Sequence, residues 1–190
     1  MSRHALGHTA VWVVISLLLL LLPVRAGAEK QAGLVVWDED SRFVDCEKGV
    51  LDQLKSDGYG ESVLKVTREN ARGSKSRLAG AVAKFAAARH DVIISLGTIP
   101  TLAVTQAVKN VPVVFGMVYD PVEAGIARSW KSSGNNTTGA SPLIPMATLI
   151  GMLREVKPLR TLAVLYTADE KQSRIQLLEL KKFQAESQLK

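Results

Sequence analysis

From residue 29 onward, the chain alternates between short continuous apolar runs and longer stretches with helical spacing. Gly33–Asp38 carries Leu34, Val35, Val36 and Trp37 together and reads as a buried first strand. Phe43–Asp57 spaces Phe43, Val44, Val50, Leu51 and Leu54 at a helical period, and Asp57-Gly58 stops it. Ser62–Thr67 alternates and predicts a second strand, and the alanine-rich Ser74–Ala88 a second helix. Asp91–Leu96 and Val111–Val118 are β-branched runs of the kind buried on both faces. Between them Pro100–Lys109 reads as a helix with proline near its start. A short helix at Gly125–Trp130 and a brief fifth strand at Thr137–Ser141 complete this unit.

The pattern then restarts. Ala147–Val156 predicts a helix ended by Lys157-Pro158, Thr161–Tyr166 a buried strand, and Asp169–Lys190 a long helix. Strand–helix–strand alternation predicts α/β architecture on a parallel sheet, with ligands held beyond the carboxyl ends of the strands. One strand and two helices cannot make a second sheet, because a strand apolar on both faces needs neighbours. The expected division is a leader at 1–28, an N-terminal α/β lobe at 29–141, and the start of a second, incomplete α/β lobe at 142–190. The last helix shows no stop signal, which favours a C-terminally truncated chain.

The N-terminus changes how the composition is read. Hydrophobic residues make up 47% of the chain, inflated by Ala10–Val24 with its six leucines at 17–22. Arg3 precedes that run and Ala26-Gly27-Ala28 closes it, the pattern of a cleavable secretory signal and hence of a periplasmic protein. The run is about 15 residues, short of the ~20 that a membrane-spanning helix needs. Without the two basic residues of this segment, 22 basic face 18 acidic residues, a net charge of +4. These charges are dispersed, without an aromatic-interleaved basic stripe, so nucleic acid is not an expected partner. Cys46 is the only cysteine; it excludes an intrachain disulfide and reads as a small helical core residue.

Candidate chemistry lies at strand ends. Gly97-Thr98-Ile99-Pro100 joins a strand to a helix, where unpaired backbone N–H groups and the dipole suit a carboxylate or phosphate. Thr98 adds a hydroxyl there, or simply caps the helix. Asp120-Pro121 offers a carboxylate for an ammonium or hydroxyl, or an Asx-turn. Asn135–Gly139 is a polar crossing that also matches a glycosylation acceptor. The sequence has no G-x-G-x-x-G after the first strand, no Walker loop, no G-x-S-x-G and no metal-ligand spacing. His90 follows Arg89 at a helix end and reads as a surface residue. Binding therefore fits better than catalysis, with no cofactor.

Asp91–Pro100, Pro112–Gly125 and Asn136–Ser141 together resemble the ABC transporter substrate-binding protein family of the type I periplasmic-binding fold, in the branch that includes aromatic amino acid binders. Asn70-Ala71-Arg72-Gly73, Lys157-Pro158 and Leu165-Tyr166 are similar to further segments of that family. The resemblance implies a Rossmann-like lobe hinged to a second one, closing on a small amino-acid-like solute for an inner-membrane permease. It implies no enzyme activity, and membrane contact only through the permease. By motif position, ligand contacts would come from Thr98, Ile99, Asp120, Thr138 and Ser141, with Glu170 and Ser173 from the opposite lobe. Ser41-Arg42 stand where many members carry His-Pro, and Gln172-Ser173 where many carry Asn-Ser, so the ligand cannot be transferred from the family. A chain truncated in its second lobe is expected to bind weakly. The rival readings are an extracytoplasmic sensor domain and a nonfunctional fragment.

Overall fold

The computed structural model describes residues 29–187. The expected signal at 1–28 and the last three residues of the helix expected at 169–190 lie outside them.

Five parallel strands form one sheet: β1 (Lys30–Val36), β2 (Leu64–Asn70), β3 (Val92–Leu96), β4 (Val113–Gly116) and β5 (Thr137–Gly139), in the order β2-β1-β3-β4-β5. The helices are α1 (Ser41–Ser56), α2 (Lys75–Ala87), α3 (Thr98–Ala107), α4 (Met146–Val156) and α5 (Lys171–Ser187). Side-chain alternation divides the core. Val35, Ile93 and Val113 point to one face, where Leu78, Ala81, Val82 and Phe85 of α2 and Val104 of α3 cover them. Leu34, Val36, Ile94 and Leu96 point to the other, under Phe43, Cys46, Val50 and Leu51 of α1. Burial on both faces explains why these strands read as unbroken apolar runs. Burial also raises the Cys46 thiol pKa, in keeping with its packing role.

Local chemistry sets the boundaries. Asp40 caps α1, its carboxylate accepting the Arg42 N–H, and Ser74 caps α2 by accepting from Arg77. The second strand starts two residues later than its apolar alternation suggests and runs on through Arg68–Asn70. Arg68 is held there by a two-pronged ion pair with Glu47 of α1.

Three expectations fail. Gly125–Trp130 is not a helix; residues 121–125 form a turn that Asp120 caps, and Gly125 at φ +77° ends it. Thr161–Tyr166 forms no strand among the described residues and is mostly exposed, with no neighbouring strand there to pair with it. His90 is not a surface group: both ring nitrogens are buried without a hydrogen-bond partner, and the ring packs edge-on to Phe85 at 5.2 Å. No described helix is long and apolar enough to cross a membrane.

Two predictions follow from packing. A Cβ at Gly139 would sit 2.5 Å from the Phe115 ring and against its carbonyl oxygen. Gly139→Ala is expected to cost about 2–3 kcal/mol, read as a lower urea midpoint at unchanged slope. Desolvation holds the His90 pKa below its ordinary 6.5. The unfolded chain then takes up a proton first as pH falls through 6.5, so stability drops between neutral pH and the depressed folded value. His90→Phe is expected to flatten that drop in unfolding midpoints measured from pH 7.5 to 5; an unchanged pH slope would contradict it.

Candidate functional site

Chain order reverses direction between β1 and β3: β2 lies on one side of β1, and β3, β4 and β5 on the other. Such a switch point leaves a crevice beyond the strand ends. At the end of β1 stand Trp37 and Asp38, and at the end of β3 stand Gly97 and Thr98. Gly97 adopts φ +109°, ψ 156°, a region essentially reserved for glycine, and donates its N–H to Gly116 O at 2.9 Å. Thr101 closes the turn from inside, its hydroxyl donating to Gly97 O at 2.7 Å. The neighbouring strand end carries Met117 in the left-handed region at φ 57°.

The first turn of α3 therefore opens directly onto the crevice. Its leading N–H groups, those of Thr98 and Ile99, have no acceptor inside the helix. Proline at position 100 removes one donor that would otherwise need a partner. Thr98 is 6% exposed, and its hydroxyl oxygen is buried with no hydrogen-bond partner. That is a costly state for a polar group, worth about 1–3 kcal/mol.

A cavity of about 20 Å³ lies against this turn, lined by Trp37, Phe43, Thr98, Ile99, Glu170 and Gln172. Thr98, Ile99 and Glu170, expected from the sequence, are thus brought together. Glu170 comes from the turn before α5, where its backbone N–H donates to Thr167 O and its carboxylate accepts the Ser173 hydroxyl at 3.1 Å. Ser173 is adjacent to the cavity only through that bond. Arg42 lies 5.6 Å from the Phe43 ring centroid. Its guanidinium pKa is raised chiefly by the Asp40 hydrogen bond, with Glu170 and Asp38 adding attraction.

The other expected residues lie elsewhere. Asp120 Oδ1 accepts the N–H groups of Val122 and Glu123, at 2.9 and 3.0 Å, so it serves the turn. Thr138 and Ser141 line a separate groove with Trp130 and Lys131. Ser141 donates its hydroxyl to Tyr119 O and accepts the Leu143 N–H. In the polar crossing the Asn135 amide donates to Ile126 O at 2.8 Å and the Asn136 amide to Val108 O at 3.1 Å, so both side chains hold the turn. Trp37 and Phe43 were read only as core residues; nothing in their spacing marked them as cavity walls.

The segment after residue 141 is fastened to the first unit by polar contacts. Tyr119 sits within hydrogen-bond distance of Glu179 Oε2, 2.9 Å, and of Ile144 O, 3.2 Å. Glu179 Oε1 accepts the Met146 N–H at the start of α4, and Lys171 donates to Ala124 O at 2.6 Å. Burial, reinforced by Glu179, pushes the Tyr119 phenol up to about 12. Ile175 of α5 adds an apolar contact to Phe115, Val118, Ala124 and Ile126.

This geometry, a parallel sheet with a crevice at its switch point and a second segment folded over the opening, is that of a solute-binding lobe. The chain belongs to the ABC transporter substrate binding protein family, whose family model matches residues 34–190. A tyrosine-binding protein of Clostridioides difficile is 26% identical over 151 residues, covering 78% of this chain and 44% of that protein. Among solved structures, the ABC domain in complex with L-Trp from Streptococcus pneumonia superposes with a TM-score of 0.79 at 24% identity. The ligand-free, open structure of a substrate binding protein with adhesive properties from Clostridium difficile gives 0.72, also at 24%. Each of these two matches covers 85% of this chain and 55% of the other. The chain thus spans about half the length of these relatives, and its fold is that of type I periplasmic binding proteins.

Gly97→Ala tests how the site is built. The added Cβ meets Phe43 at 3.0 Å in a backbone conformation that alanine avoids. We expect a loss of about 1–3 kcal/mol in chemical denaturation, with slower-to-appear effects absent from the β2 edge in hydrogen exchange.

Proposed function

We propose that this chain is the exported solute-binding component of an ABC uptake system, and that it takes a small amino-acid-like ligand. The ligand lies between the lobe at 29–141 and the segment at 142–190. The observation that carries this reading is the buried, unpartnered Thr98 hydroxyl at the start of α3, with Glu170 across the same cavity. A ligand carboxylate meets the helix N-terminus and the Thr98 hydroxyl, while the ligand ammonium meets Glu170. The tyrosine-binding relative and the L-Trp complex support the same ligand class.

Trp37 and Phe43 supply the apolar wall, with Arg42 and Gln172 at positions where this chain departs from many family members. Asp120, Thr138, Ser141 and Ser173 bear on the ligand only through the backbone and side chains they hold. At about 20 Å³ the cavity has room for about one water, so an amino acid enters by separation of the two parts and re-closure. The leader at 1–28 directs the protein to the periplasm, and delivery is to an inner-membrane permease, the protein's only route of contact with the membrane. No cofactor is required.

A heteronuclear NMR titration of the full chain with L-tryptophan tests this. The expected result is millimolar affinity, about 4 kcal/mol of binding, with the largest amide shifts at Thr98, Ile99 and Glu170. Thr98→Val is expected to abolish those shifts. Glu170→Gln is expected to weaken L-tryptophan while leaving 3-indolepropionate, which lacks the ammonium, unchanged. Shifts confined to the Thr138–Ser141 groove would sink the assignment.

A further inference from the structure

Three carboxylates stand around one guanidinium at the rim of the Thr98 cavity. Asp38 follows Trp37 beyond the end of β1, Asp40 precedes α1, and Glu170 reaches over from the turn before α5. The Arg42 guanidinium pKa is raised chiefly by its hydrogen bond to Asp40, and the charges of Glu170 and Asp38 act on it as well. The three acids are not engaged alike. Asp40 Oδ1 accepts both Arg42 Nε, at 2.9 Å, and the Arg42 backbone N–H, at 3.0 Å. Glu170 Oε2 accepts the Ser173 hydroxyl. Asp38 is half-buried, and its Oδ1 accepts the Asp40 N–H at 3.0 Å. Its Oδ2 has no partner, and its carboxylate no ion pair, among the described residues.

Arg42 and Asp40 therefore form a neutral couple. The guanidinium fork is already taken, so Arg42 does not offer itself to an anionic ligand group. Glu170 is matched by the ligand ammonium. Asp38 is then the carboxylate left unmatched, next to an aromatic wall. The Thr98 hydroxyl independently marks the cavity as built for a ligand, being buried, unpartnered and part of the lining. Trp37 and Phe43 line the same cavity. Phe43 has a cation over its ring already, with Arg42 at 5.6 Å from the centroid. An indole attracts a cation more strongly than a phenyl ring does.

We propose that the ligand is a basic amino acid whose side-chain ammonium or guanidinium pairs with Asp38 beside Trp37. This rests on the reading of the cavity as an amino acid site, and it makes Asp38 a specificity-determining residue there. The ligand carboxylate meets Thr98 and the start of α3, its ammonium meets Glu170, and its second cation meets Asp38. The aliphatic stem between them lies along Trp37 and Phe43. A neutral side chain leaves Asp38 unmatched, and an acidic one sets like charges together.

Heteronuclear NMR titrations of the full chain with L-arginine and with L-citrulline test this, since citrulline keeps the shape of arginine without its side-chain charge. L-Arginine is expected to bind about tenfold more tightly, because charge-assisted hydrogen bonds are roughly twice as strong as neutral ones. It is also expected to bind more tightly than L-tryptophan. Asp38→Asn keeps an oxygen for the Asp40 N–H and is expected to bring the arginine-to-citrulline ratio to about one. Asp52→Asn removes the same charge farther along α1 and is expected to preserve the preference. Equal binding of the two ligands with shifts still centred on Thr98, tighter L-tryptophan binding, or a preference that survives Asp38→Asn each overturn this proposal and leave the amino acid site standing. Titrations with both ligands that leave Thr98 unshifted overturn the two readings together.

Discussion

Two-sided burial is the constraint on which the rest of this molecule depends. A parallel strand has apolar side chains on both faces, and each face must be covered by a helix. β1 and β3 meet that demand fully: Leu34, Val35, Ile93 and Leu96 are essentially inaccessible to solvent. The covering helices have to leave the carboxyl end of one strand and return to the amino end of the next. At the single place where successive connections part, between β1 and β3, no helix fills the gap. The crevice that holds Thr98 and Ile99 is thus a product of topology before it is a product of any particular side chain.

The same constraint separates the two parts of the chain. In residues 29–141 every strand of the sheet has at least one paired neighbour, and the three core clusters lie in or against that unit. In residues 142–185 one apolar run lies against two helices, with no strand paired to it among the described residues. Among the described residues of that part, only Ile150 is almost completely buried.

Much of this architecture was legible, and the reasons differ by element. Continuous β-branched runs marked β3 and β4, because burial on both faces leaves no polar positions to dilute the signal. The Thr98–Ile99 turn was legible because a strand ending in glycine before a helix has few alternatives. Thr161–Tyr166 has the same local signal as β3, yet strand formation is a property of neighbours that a local pattern does not contain. His90 misled for a related reason, and Asp120 stood open between a ligand and a turn on the same ground. A carboxylate at a strand end looks identical whether it serves a ligand or a turn, and a histidine after an arginine looks exposed until a distant phenylalanine is seen beneath it. Trp37 and Phe43 become cavity walls only because the chain brings Glu170 and Gln172 over them.

The joint between the two parts has a thermodynamic consequence. Tyr119 bonds Glu179, Lys171 bonds Ala124 O, and Ile175 packs against the Phe115 cluster, while α5 also touches α3. Polar links of this kind are worth about 1 kcal/mol each, so α5 is attached in the manner of a clasp, by separate side-chain contacts whose loss one at a time weakens the joint without unpacking the sheet.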